Sequence, residues 1–79
     1  MKTEYKYLSF DLSEKQPKKT TSWYCSNKRT KAILGVVKWY PAWRQYCFFP
    51  TCQAVYNNSC LSDISDFLTQ LDKDHKEKS

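Results

Sequence analysis

Four cysteines and one histidine are the residues of this 79-residue chain whose types are typical ligands of structural zinc sites. Cys47, Cys52 and Cys60 span fourteen residues, separated by four and then seven positions. Structural zinc sites usually combine closely spaced ligand pairs into a set of four, and that pairing is absent here. We therefore predict no metal or other cofactor, and we interpret the cysteines, Cys25 included, as small apolar core residues.

The chain also offers no arrangement of residues suited to catalysis. A nucleophile needs a general base nearby, but the sole histidine, His75, lies in a charged tail. No Asp or Glu occurs between Glu14 and Asp63, and the only glycine is Gly35, so a Gly-rich phosphate loop is excluded. We predict that the protein is not an enzyme.

The stretch KWYPAWRQYCFFP, residues 38–50, concentrates aromatic rings beside cations. Flat rings stack on nucleobases, at about 1–3 kcal/mol per base, and a neighbouring Arg or Lys pairs with phosphate. The pattern predicts a surface for an anionic, nucleotide-containing ligand, either a single-stranded nucleic acid or a nucleotide signal. Its predicted residues are Lys38, Trp39, Tyr40, Trp43 and Arg44, helped by Lys28 and Arg29.

Two other interpretations of this stretch remain open. In a small chain most rings must be core, and Arg44 could simply lie across Trp39 as a cation–π contact. Trp, Tyr and Arg are also the residues favoured at the centres of protein interfaces. The same surface could therefore dock on an acidic protein and inhibit it.

The net charge of +5 is unevenly distributed. Residues 21–50 carry five cations and no acid, whereas residues 51–79 carry three Lys against five acids. A field of this sign attracts an anionic partner, although a moderate net charge also serves simply to keep a small protein dispersed.

Hydrophobic periodicity predicts an α+β fold: a four- to five-stranded antiparallel sheet with one C-terminal helix packed on one face. Strands are predicted over 4–12, 22–27, 31–40 and 43–49, with 52–57 as an optional fifth. A helix is predicted over 58–73, with Asn58 or Ser59 as its N-cap and an apolar stripe of Leu61, Ile64, Phe67 or Leu68, and Leu71. We predict a single domain, 1–79, divided into a strand and polar loop (1–20), the sheet (21–57), the helix (58–73) and a frayed tail (74–79).

The predicted hairpin has more apolar surface than the predicted elements can cover. A two-residue turn at Pro41 and Ala42 pairs position 39 with 44, and so on to 34 with 49. Both faces of this hairpin are apolar, yet only one helix is available. The second face is therefore predicted to contact the N-terminal segment, a second copy in a homodimer, or a ligand.

The sequence shows no signal for a membrane. No apolar run approaches the ~20 residues that span a bilayer. Glu4 and Lys6 interrupt the N-terminal segment where a signal peptide needs an apolar core. We therefore expect a cytoplasmic protein without membrane contact, whose thiols are reduced.

Residues 23–71 resemble a family of small, mostly uncharacterised phage and prophage proteins. The resemblance rests on a Trp-led strand, a core like LGVVKWYPAWRQYCFFP and an ending like VYNNSCLSDISDFLTQL. It implies a phage accessory protein of the host bacterial cytoplasm that interferes with a host pathway, such as immunity, by binding an acidic host protein, a nucleic acid or a nucleotide signal. It carries no catalytic residues to this chain.

Overall fold

Four antiparallel strands form one sheet in which neighbours along the chain are also neighbours in space. In the computed structural model, which describes residues 1–78, the strands are β1 (Leu8–Leu12), β2 (Trp23–Asn27), β3 (Ile33–Tyr40) and β4 (Gln45–Pro50), in the order β1-β2-β3-β4. A helix, α1 (Asn58–Lys78), follows. The predicted α+β class, with an antiparallel sheet and one C-terminal helix, is confirmed.

The segment between β4 and the helix is not a fifth strand. It turns instead, and its side chains anchor it to the sheet. The Thr51 backbone N–H and the Tyr56 hydroxyl both donate to the Leu34 carbonyl, and the Tyr56 ring packs edge-on against Phe48, with 5.6 Å between centroids. Since Pro50 cannot donate to a ladder, β4 ends there and the chain leaves the sheet.

Helix α1 starts at an asparagine cap and buries one stripe. The Asn57 side chain accepts a hydrogen bond from the Cys60 N–H at 2.8 Å, so the cap lies one residue before the predicted pair. The buried stripe is Ile64, Phe67 and Leu71, and Cys60 packs beside it. The predicted stripe member Leu61 is 53% exposed, because Cys60 takes the core-facing position of the first turn.

The core lies between the helix and one face of the sheet, the helix face. The Phe67 ring stacks on Phe10 of β1 at 4.0 Å and meets Trp23 of β2 edge-on at 5.2 Å. Val37 and Tyr46 complete the buried sheet positions on β3 and β4. Each fully buried apolar side chain contributes about 1.5–3 kcal/mol to the stability of the fold. The large aromatic side chains therefore supply most of the stabilisation that a chain this short needs.

The β3–β4 hairpin has a four-residue turn rather than the predicted two-residue one. Tyr40 pairs with Gln45, and the ladder continues to Gly35 opposite Pro50. The Arg44 N–H donates to the Tyr40 carbonyl at 2.9 Å, and Arg44 closes the turn in the left-handed region, with φ of 52°. The predicted pairing is therefore wrong by two positions, but the side-chain period of a strand is also two. Each residue of the two strands thus keeps its predicted face.

The N-terminal segment packs on the helix side of the molecule. The Thr3 carbonyl accepts from the Phe10 N–H at 2.8 Å, so the chain folds back along the β1 edge instead of extending the strand from residue 4. Tyr5 is buried, and its hydroxyl donates to the Asp66 carboxylate at 2.6 Å. Burial, and then this carboxylate, raise the pKa of Tyr5. Residues 1–7 therefore help to cover the core and leave the second face of the sheet uncovered.

Candidate binding surface

Strand alternation separates the predicted binding residues into two groups. Lys38 and Tyr40 point to the face of the sheet away from the helix, whereas Trp39 points to the helix face, where it packs against Tyr46 at 5.4 Å and His75 at 4.4 Å. Trp43 and Arg44 leave the ladder and lie in the turn. The sequence therefore predicted the correct end of the hairpin, but it grouped into one binding surface residues that lie on opposite faces of the sheet.

The face opposite the helix is an aromatic surface, which we call the open face. The sheet pairing places Tyr24 of β2 beside Val36 of β3 and Phe49 of β4 in one row across the strands. Tyr24 is 39% exposed and Trp43 is 66% exposed. The open face consists of Ser9, Asp11, Tyr24, Ser26, Ile33, Val36, Lys38, Tyr40, Gln45, Cys47 and Phe49, with Trp43 in the adjoining turn.

Ring contacts organise the open face around Tyr40. The Tyr40 ring meets Trp43 edge-on at 5.0 Å and Phe49 edge-on at 6.0 Å. The Lys38 ammonium lies 4.6 Å from the centroid of Phe49. These contacts hold a cation beside flat rings at one end of the sheet.

Lys28 and Arg29 lie at the other end of the sheet. They belong to the β2–β3 turn, whereas Lys38, Tyr40 and Trp43 lie at or near the β3–β4 turn. The eight residues of β3 separate the two turns, which corresponds to about 26 Å of extended strand. Lys28 also faces Glu4, with 3.9 Å between their charged atoms. The structure therefore does not bring this pair together with the other predicted residues.

Charge is separated between the two sides of the molecule. The segment containing β2, β3, β4 and their turns has no acid, while five of the eight acids lie in α1 behind the sheet. Asp11, on β1, is the acid that the open face carries. Three of the five cations of this segment lie in the β2–β3 turn, and Lys38 is the cation that lies beside the rings of the open face.

The cysteines do not converge with other ligands. Over residues 1–78, no three His, Cys, Asp or Glu side chains are close enough to hold a metal ion. Burial, followed by the proximity of Cys60, raises the pKa of Cys25 to about 12, and burial raises the pKa of Cys47. Both shifts disfavour the reactive thiolate.

Tyr24, Phe49 and His75 are the residues that the sequence interpretation missed. Tyr24 and Phe49 become recognisable once the sheet order is known, because each pairs with Val36 and shares its face. His75 was expected in a frayed tail, but it packs on Trp39 within a helix that continues to Lys78. The spacing from Leu71 to His75 is one helical turn, which extends the buried stripe and could have indicated the longer helix.

The fold and this surface define a class of small α+β proteins with a helix on one side of an antiparallel sheet and exposed rings on the other. No protein-family model matches the chain, and no solved structure matches it. The chain is 31% identical over 71 residues to a protein of Acholeplasma phage L2 described as an uncharacterized 9.3 kDa protein.

That alignment covers 90% of this chain and 91% of the phage protein. The chain therefore belongs to a family of small phage proteins, which confirms the coarse part of the resemblance. The finer pattern built on LGVVKWYPAWRQYCFFP stays a prediction. Among the described residues, no helix has both the length and the apolarity needed to cross a membrane.

Proposed function

We propose that the protein is a non-enzymatic phage accessory protein that binds single-stranded nucleic acid across the open face. The observation that carries this proposal is a sheet face left uncovered by helix and N-terminal segment, on which Trp43, Tyr40 and Tyr24 lie with Lys38. Each ring offers stacking of about 1–3 kcal/mol per base, and the ammonium provides a phosphate contact.

The shape of the open face favours an extended strand over a small nucleotide. The face is the surface of a sheet, with rings spread from β2 to the β3–β4 turn. Clefts of roughly 270 and 220 Å³ occur instead on the other side of the sheet, beside His75. A strand gains from several stacking positions in a row, whereas a small nucleotide needs an enclosing pocket.

A second candidate function follows from the apolar part of the same surface. Ile33 is 50% exposed and Val36 is half-buried, and neither side chain stacks on a base. An apolar patch with Trp and Tyr beside it is also typical of protein interfaces. Inhibition of an acidic host protein through the open face is therefore the alternative. In either case the proposed role is counter-defence in the host bacterial cytoplasm.

The proposal is tested by fluorescence anisotropy with labelled oligonucleotides of roughly 8–12 nucleotides. We expect binding that weakens as salt rises from about 50 to 200 mM, because neutralised phosphates release counterions. Trp43→Ala should weaken binding about tenfold, in line with the loss of one stacked base. Tyr7→Ala is the matched control, since Tyr7 is also an exposed ring with a lysine beside it but lies outside the open face.

Equal affinities of wild type and Trp43→Ala for the oligonucleotide would overturn nucleic-acid binding at this surface. A nuclease-treated pull-down from host lysate then tests the alternative. If an acidic protein is captured by wild type and lost with Trp43→Ala, the open face is a protein-docking surface. If neither ligand depends on Trp43, both functions of the open face are wrong.

A further inference from the structure

A concave site lies at the same hairpin end, on the helix face of the sheet. Its cleft has a volume of roughly 270 Å³. The Trp39 and His75 rings, 4.4 Å apart, form part of its wall. The cleft is lined by Trp39, Arg44, Gln45, Asp72, His75 and Lys76.

Two cations from different elements converge on this cleft. Arg44 comes from the β3–β4 turn and Lys76 from the last turns of α1. The lining therefore carries two positive charges from separate elements against the one negative charge of Asp72. Asp72 is the acid in the lining, and its carboxylate is held in place by the Tyr46 N–H at 2.8 Å.

Arg44 occupies its position at a cost to the backbone. Its φ of 52° lies in the left-handed region, which glycine adopts readily and a residue with a Cβ adopts only with strain. The turn closes through the Arg44 backbone N–H, which any residue would supply. Among the side chains that the structure describes, none forms a hydrogen bond or ion pair with the Arg44 guanidinium. The Arg44 side chain is exposed and lines the cleft, so its five guanidinium donors are available to a ligand there.

We propose that the Arg44 cleft binds a small phosphate-type anion, with Arg44 as the bidentate contact and Lys76 as a second charge. The guanidinium matches the two oxygens of a phosphate, and the Trp39 and His75 rings shield one side of the pair from water. This site is independent of the open face. Its ligand class is a phosphate monoester or a free phosphate or pyrophosphate, which a cleft of this size accommodates.

The test uses inorganic pyrophosphate as the probe, followed by two-dimensional NMR of the labelled chain. We expect saturable shifts at the Arg44 side chain, the Trp39 indole and His75. Arg44→Gly should raise the dissociation constant about 10- to 100-fold, as expected for the loss of charge-assisted hydrogen bonds. It should also raise Tm by about 2–6 °C, because glycine relieves the left-handed backbone.

The chain supplies a matched control in its other hairpin turn. Lys31 also has positive φ, at 66°, and lies in the β2–β3 turn at the far end of the sheet. Lys31→Gly removes one positive charge and the same kind of backbone strain, so Tm should rise comparably while pyrophosphate affinity stays within about twofold. Loss of affinity in both variants would show an effect of net charge alone and would overturn the site.

Two further variants distinguish pyrophosphate binding in this cleft from binding at the open face. They also distinguish it from a purely structural role of Arg44. Asp72→Asn keeps an oxygen for the Tyr46 N–H but removes a negative charge, so affinity should rise about three- to tenfold. Trp43→Ala should leave pyrophosphate binding unchanged, whatever it does to oligonucleotides. Unsaturable shifts in wild type, or an Arg44→Gly variant that binds as wild type does, would overturn the proposal.

Discussion

Consecutive residues of β3 serve opposite sides of the sheet, because side chains alternate along a strand. Lys38 and Tyr40 lie on the open face, whereas Trp39 between them packs against Tyr46 and His75. A ring with partners on the helix face contributes to stability, and the mostly exposed ring of Trp43 is the one that the proposed function assigns to binding. Trp39 and Trp43, four positions apart, are therefore expected to separate these two properties.

We predict that Trp39→Ala lowers the free energy of unfolding by about 2–4 kcal/mol, since it leaves a cavity beside Tyr46 and His75. Trp43→Ala should change it by no more than about 0.5 kcal/mol, because 66% of its surface is already exposed. Urea denaturation followed by circular dichroism measures both. Equal losses in the two variants would contradict the assignment of the two rings.

Cys25 gives the molecule a predicted alkaline sensitivity. Burial raises its pKa from 9.0 to about 12, so the folded state holds the thiol proton more tightly than the unfolded state does. The resulting stabilisation is fully present below pH 9.0 and is lost as pH rises toward 12. Tyr5 and Tyr56, whose pKa values are also raised, act in the same direction.

Comparison of wild type with Cys25→Ala isolates the contribution of this thiol. The stability difference between them should be constant below pH 9.0 and should shrink above it, because only wild type has this thiol to ionise on unfolding. The exposed Cys52 is the matched control, and Cys52→Ala should follow the wild-type profile. Urea midpoints measured from pH 7 to about 10.5 test this. A difference that is flat across the range would contradict it.

At the scale of elements, periodicity indicated the sheet, the helix and the two faces of the hairpin. It did not fix the register, because a four-residue turn closed by Arg44 differs from a two-residue turn only in local backbone conformation. The C-terminal end of the helix was also predicted wrongly, at residue 73 instead of Lys78. Lys73 and the residues after it resemble a solvated tail, and the contact of His75 with Trp39 exists only once the sheet has formed. The split of the predicted binding residues between the two faces follows from strand alternation, but which face the helix covers depends on the same tertiary information.

The last turns of α1 are therefore predicted to depend on His75. Alanine is the better helix former, so propensity alone would make His75→Ala stabilising. We expect it instead to lower the free energy of unfolding by about 1 kcal/mol, through the lost ring contacts with Trp39 and Tyr46. Lys73→Ala, an exposed change in the same helix, should be neutral or slightly stabilising. Amide hydrogen exchange of residues 73–78 measures the fraying, and equal protection in both variants would contradict the role of His75.

The whole molecule presents a basic sheet and an acidic helix. Its electrostatic interaction with an anionic partner therefore depends on which side faces that partner, as well as on the net charge. Five acids lie in α1, and the sheet segment from residue 21 to residue 50 has none. Lys38 is on the open face and Lys73 is on the helix. Reversing either charge lowers the net charge by two, from +5 to +3.

If the open face binds a nucleic-acid strand, these two reversals must differ. Lys38→Glu should weaken oligonucleotide binding more than about tenfold at low salt, because it removes a phosphate contact and places an anion among the rings. Lys73→Glu should weaken it by less than about threefold, since screening reduces a charge more than one Debye length away. Anisotropy titrations of both variants at about 50 and 150 mM salt provide the comparison, with circular dichroism to verify folding. Equal effects of the two reversals would show that only net charge matters and that the open face is not where the strand binds.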